Sequence, residues 1–147
     1  MVRIDARAEA MARAAIHAAV KQDFAKLDEK LRGFSDDKLT RNAVELTLGV
    51  ILFVLRDVYR GKPDDDQVRA LAAVIAQSEE WVKATVEEIS EFLLRLVNGQ
   101  PFAGKVPTEN VFILAFVVAG YLLSSKRRDD EKWWDYLDRA EAALEAA

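Results

Sequence analysis

The stretch Leu48-Gly49-Val50-Ile51-Leu52-Phe53-Val54-Leu55, "LGVILFVL", decides how this chain must fold. These consecutive residues put no polar side chain on any side of a helix. A helix that is apolar all round has to be surrounded by protein. No period-two run bounded by turns occurs elsewhere, so the chain reads as helices throughout. A second run, Val111 to Leu123, has the same all-round character over 13 residues. A membrane span needs about 20 such residues, so this run reads as a second core helix and no membrane span is expected.

Working outward, Ser35 is the expected cap of the helix that holds the first stretch, with Asp36 and Asp37 in its first turn, where the helix dipole favours negative charge. Gly61 is its expected C-terminal stop after Arg60, with Pro63 beyond. Upstream, one helix is expected from Asp5 to Leu31, ended by Gly33. Its eight alanines between Ala6 and Ala19 would let a neighbour approach closely, and Ile16, Val20, Phe24, Leu27 and Leu31 form one stripe.

Downstream, a third helix is expected from the Asp64–Asp66 cluster to Val97. Val68, Ile75, Val82, Ile89 and Leu96 recur every seven residues without a phase slip, as in a coiled-coil seam. Such a helix would be about 50 Å long at 1.5 Å per residue, against about 38 Å for the diameter of a compact domain of this size. The unbroken phase predicts a continuous or gently bent helix. A kink near Gln77-Ser78-Glu79 is the alternative, and pairing with a second copy is another way to satisfy the seam. Thr108 is the expected cap of a fourth helix over Val111–Ser125. Asp129 or Asp130 should cap a fifth that runs nearly to the C-terminus. The expected fold is all-α, a single domain of five to six helices with two fully apolar central helices.

The chain has 147 residues, one domain's worth, and carries a net charge of −4. That balance does not suit a nucleic-acid-binding role, which draws on counterion release. The charge is uneven, however: residues 1–41 hold nine Lys/Arg against seven Asp/Glu. His17 shares a basic stripe with Arg3, Arg7 and Lys21, with Arg13 close by. The absence of cysteine excludes disulfides and thiol chemistry, and fits a cytoplasmic setting. No signal peptide is expected at the N-terminus.

Three motifs invite a chemical reading. Gly99, Gly104 and Lys105 in "NGQPFAGKVPT" have the spacing of a phosphate-binding loop. Such a loop follows a strand and ends in a hydroxyl that holds magnesium; here it follows a helix, and Val106 takes the hydroxyl's place. Capping, stiffening by Pro101 and Pro107, and Phe102 as a plug for the bundle's end account for the segment. Glu87, Glu88 and Glu91 give the Glu-x-x-Glu spacing that resembles the metal ligands of helical nucleotide pyrophosphatases and ferritin-like proteins. The likeness covers four residues: the next helix offers only Glu109, and the sole histidine has no matching Glu. Asp64, Asp65 and Asp66 read as helix caps. With one imidazole in the chain, no hydrolytic triad is expected, and no cofactor or metal is expected.

The most informative segment is "DDEKWWDYLDRAEAALEA". Trp133, Leu137, Ala140 and Leu144 share one face. Trp134 lies about 100° away, in an acidic stripe with Asp130, Asp138, Glu141 and Glu145. Trp is enriched at the energetic centres of interfaces. The expected function is therefore a non-catalytic protein–protein interaction module, a small acidic inhibitor or neutraliser of another protein, of the immunity or phage type. The first alternative is a bundle that binds an apolar small molecule between its central helices, lined by Phe53, Phe112, Phe116 and Tyr121. The second is a carboxylate-metal enzyme on the third helix.

Overall fold

The computed structural model describes residues 3–147. Its centre is α6 (Thr108–Lys126), in which Leu114 to Gly120 are all buried, followed by Leu122 and Leu123. Two helices enclose it, α1 (Ala6–Val20) and α3 (Asp37–Tyr59). The alanine run of α1 does what its composition predicts. A Cβ on Gly120 would lie 3.2 Å from the Ala19 Cβ and 3.3 Å from the Val20 nitrogen, so the two helices approach at backbone distance.

Marker contacts fix the directions. Thr40, Arg41 and Val44 of α3 share a hollow with Thr108, Val111 and Phe112 of α6, and Tyr59 at the end of α3 senses Tyr121. Helices α3 and α6 therefore run the same way. The C-terminal helix α7 (Trp133–Ala146) runs against both α3 and α1. Leu144 meets Gly49 and Tyr136 meets Asp57, while Asp138 reaches Arg13 and Trp133 reaches His17.

Three helices pointing one way need return connections. The first is α2 (Phe24–Arg32). The second is a hairpin of α4 (Asp65–Ser78) and α5 (Val86–Val97), with a short 3-10 turn at Glu80–Val82 between them. Val68, Leu71, Ala72 and Ile75 of α4 and Ile89, Phe92 and Leu93 of α5 are buried, so the heptad seam closes within the chain as the two halves fold back on each other.

Several expectations are corrected. There are seven α-helices, not five or six, and no strand among the described residues. Among the described residues, only α6 is long and apolar enough to pass for a membrane span by length and composition, and half of that window is buried in the bundle. Helix α3 is amphipathic beyond its central run: Glu45, Arg56 and Asp57 are exposed. Within the run, Val50, Ile51, Val54 and Leu55 are buried while Leu48, Leu52 and Phe53 are half-covered.

The first expected helix breaks at Lys21-Gln22-Asp23. Gln22 takes a left-handed conformation, φ 53°, and the Asp23 carboxylate caps α2 by accepting from the Lys26 N–H. The third breaks after Ser78. Lys83 is left-handed, φ 61°, and Thr85 and Glu88 form a reciprocal capping box that starts α5. The caps shift by one to three residues as well. Asp36 rather than Ser35 caps α3, Pro107 precedes α6 with no side-chain cap, and α7 begins after Lys132, whose N–H donates to Asp135.

The close approach of α1 and α6 makes a direct prediction. Gly120→Leu should wedge the helices apart and lower the unfolding free energy by about 1–3 kcal/mol, read as a fall in the urea midpoint. An unchanged midpoint would mean that the two backbones do not meet there.

Candidate functional site

The face formed by α7 and α1 gathers the most chemistry. It is held at two places. On the α3 side, the Tyr136 hydroxyl donates to Asp57 Oδ2 at 2.5 Å. The Arg139 guanidinium lies 4.3 Å from the Tyr136 ring centroid and pairs with Glu131 at 2.8 Å. Burial, reinforced by the bond to Asp57, raises the Tyr136 hydroxyl well above its ordinary value.

On the α1 side, Arg13 Nη2 donates to Glu9 at 2.6 Å, to Asp138 at 2.7 Å and, more weakly, to Glu141 at 3.3 Å. Three carboxyl groups thus crowd one cation. Burial first, then the hydrogen bond and charge of Glu9, push the Glu141 carboxyl up to about 8. Burial works to raise Glu9 too, but hydrogen bonds from Glu141 and Arg13 outweigh it and hold Glu9 below the usual range. Burial and the neighbouring Glu9 charge thus both favour the protonated form of Glu141.

Trp134 stands at the edge of this clamp, 46% exposed. Its ring meets Trp133 edge-on, centroids 5.8 Å apart at 84°. Trp133 in turn lies 5.7 Å from His17 of α1. The indole is thus braced from behind while its outer part faces solvent. The acidic stripe around it is only partly available. Asp130 and Glu145 are exposed. Asp138 is also exposed but engaged by Arg13, and Glu141 is largely covered and lies 3.3 Å from the same guanidinium. Spacing puts Asp130 on the same helix face as the others, but it lies in the turn before α7. Spacing also had no means of showing that Arg13, 125 residues away from Asp138, draws two of these residues inward.

The four aromatic residues expected to line one ligand pocket do not converge. Phe116 and Phe112 pack with Phe34, at 5.9 Å and 5.8 Å. Phe53 packs against Tyr136 at the α7 side. Tyr121 lies near Tyr59. An apolar hollow of about 350 Å³ exists elsewhere, at the α6 N-terminal end, with Val44, Phe102, Val106, Val111 and Phe112 in its lining.

The other candidate motifs serve structure. Glu88 spends its carboxylate on the Thr85 N–H and the Asn110 amide, and Glu91 pairs with Arg95 at 2.7 Å. No group of three His, Cys, Asp or Glu residues that could hold a metal occurs among the described residues. Gly99 and Gly104 adopt positive φ in a tight connector. Phe102 stacks on Phe92 at 5.4 Å, and the Lys105 and Val106 N–H groups both donate to the Phe102 carbonyl.

One buried carboxyl went unnoticed in the sequence. Glu79, 7% exposed, accepts from the Gln22 side-chain amide at 2.8 Å. It joins the break after α1 to the break after α4. Burial raises its titration point, opposed by Trp81 and Gln22, of which only the Gln22 amide makes a well-formed hydrogen bond.

Compared with protein-family models, with curated proteins and with solved structures, the chain has no significant match.

The proton held by Glu141 links stability to pH. A carboxyl whose folded-state pKa is raised stabilises the fold fully below about pH 4.5, and that stabilisation is lost as pH rises toward 8. The protein should therefore lose stability between pH 5 and pH 8. Glu141→Gln, which keeps a proton donor toward Glu9, should flatten that slope, and Glu79 should supply what remains of it. Urea midpoints across the range measure both, and an equal slope in the variant would contradict the raised Glu141 carboxyl.

Proposed function

We propose that the chain is a non-catalytic module that binds another protein through the N-terminal half of α7, with Trp134 at the centre of the contact. The observation that carries this reading is a large aromatic side chain left nearly half exposed on a helix that is itself firmly held. Trp133 braces the ring, and the Arg13 and Tyr136 contacts fix the helix on either side. An anchor that is ordered before binding loses little freedom on association. Inhibition or neutralisation of the bound protein is the role that such a small module would perform.

In favour of this reading, two of the three α5 carboxylates of the metal-enzyme alternative are committed, Glu88 to capping and Glu91 to an ion pair. The small-molecule alternative keeps one supporting observation, the hollow beside Phe112. It would be favoured if native mass spectrometry of the purified protein showed an extra mass that is lost on denaturation and absent from Phe112→Ala.

The docking reading predicts that Trp134→Ala leaves the melting temperature nearly unchanged. A partner retained by the wild-type protein from an extract of its source cells should bind the variant about 30-fold more weakly, the effect of losing an anchor worth about 2 kcal/mol. A large drop in melting temperature would instead make Trp134 a structural residue.

A further inference from the structure

The surface beside the braced indoles is basic. Between α1 and α2 lies a hollow of about 250 Å³, with Ala14 and Ala18 in its lining and His17, Lys21, Lys26 and Lys30 around it. One carboxylate, Asp23, lines it too, but that group is occupied in accepting the Lys26 backbone N–H at 3.0 Å. The Lys26 ammonium pairs with Glu29 at 3.7 Å. Lys21 and Lys30 have no ion-pair partner among the described residues.

His17 belongs both to this hollow and to the aromatic group, through its contact with Trp133. Trp134, Trp133, His17 and Lys21 therefore form one continuous path across the α7–α1 edge. On the other side of the indole the acidic stripe is depleted, because Arg13 engages Asp138 and Glu141. Asp130, Asp135 and Asp138 stay exposed next to Trp134 itself, while at the His17 end of the path the charged groups that line the hollow are Lys21, Lys26 and Lys30 with the single carboxylate of Asp23, so charge changes sign along the edge and a partner's orientation is set by it.

We infer that the bound protein presents an acidic segment, which seats its carboxylates among Lys21, Lys26 and Lys30 while an apolar residue next to them packs against Trp134. The inference rests on the docking reading of α7 above and gives that docking its chemistry. Charge complementarity of this kind fixes partner choice and orientation more than raw affinity, so the contact should weaken steeply with salt.

The test is a titration of the full isotope-labelled chain, followed by backbone amide and indole N–H resonances. The probe is a ten-residue glutamate peptide with a central Leu-Phe pair. A lysine peptide with the same central pair, a deoxythymidine decamer and phosphatidylglycerol vesicles are its competitors. The glutamate peptide should shift resonances over residues 14–30 together with the Trp133 and Trp134 indoles. The double variant Lys21→Glu with Lys30→Glu should bind it at least 10-fold more weakly. Arg69→Glu, a single charge reversal on α4 away from the hollow, should bind it as the wild type does. Unchanged circular dichroism and melting temperature would certify that the double variant is folded.

If the lysine peptide moves the indoles and the glutamate peptide does not, the docking reading stands and the acidic partner is overturned. Displacement of the glutamate peptide by the decamer or by vesicles would also overturn it, in favour of nucleic acid or a lipid surface. If no probe moves the indoles, both readings fall.

Discussion

Everything in this structure follows from α6 having no polar side. Leu114 to Gly120 are buried without interruption, so the helix cannot lie on a surface and must be enclosed. Enclosing a helix within a chain of this length requires neighbours that come unusually close. The pairing of Gly120 with Ala19 and Val20 meets that need, because small side chains let two backbones approach and leave dispersion contacts where larger residues would leave voids. Helix α3 covers a second side with Val50, Ile51, Val54 and Leu55.

The rest of the topology is a consequence. Helices α1, α3 and α6 run in one direction, so two segments must bring the chain back. They are the less regular parts of the molecule. Both turn through left-handed residues that are not glycine, Gln22 and Lys83. The two breaks are tied together by Gln22 and Glu79 and by the edge-on contact of Phe24 with Trp81. Helix α7 closes the remaining side. It buries Tyr136, Leu137 and Ala140 and is held on its flanks by polar contacts, to Asp57 on one side and Arg13 on the other. That leaves its outer edge free to carry an exposed indole, and the proposed function grows from that edge.

The sequence made the core legible because the core is a matter of composition along one helix at a time. An apolar run of the right length, an alanine-rich segment and a Gly-x-Pro stop each carry their meaning locally. The break after Ser78 was not legible from the seam. The connector from Glu79 to Thr85 is seven residues long, one heptad, so the apolar phase of α5 continues that of α4 although the chain has reversed. The capping box of Thr85 and Glu88 was the local signal that could have revealed it. The break at Gln22 had a weaker signal, Asp23 as a cap. The site was harder still. The exposure of Trp134 could be proposed from spacing, but the engagement of Asp138 and Glu141 depends on Arg13 at the far end of the chain, and no periodicity reports a contact of that range.

The central claim is that α6 is enclosed by α1 and α3 and that the return segments and α7 are added to that unit. Native-state hydrogen exchange tests it most directly. Amides of residues 114–123, together with those of 12–19 and 50–55, should exchange only through global unfolding, while α2 and α7 open at lower free energy. If amides of α6 exchanged through a local opening that left the α4–α5 hairpin protected, the enclosed helix would not be the foundation of this fold.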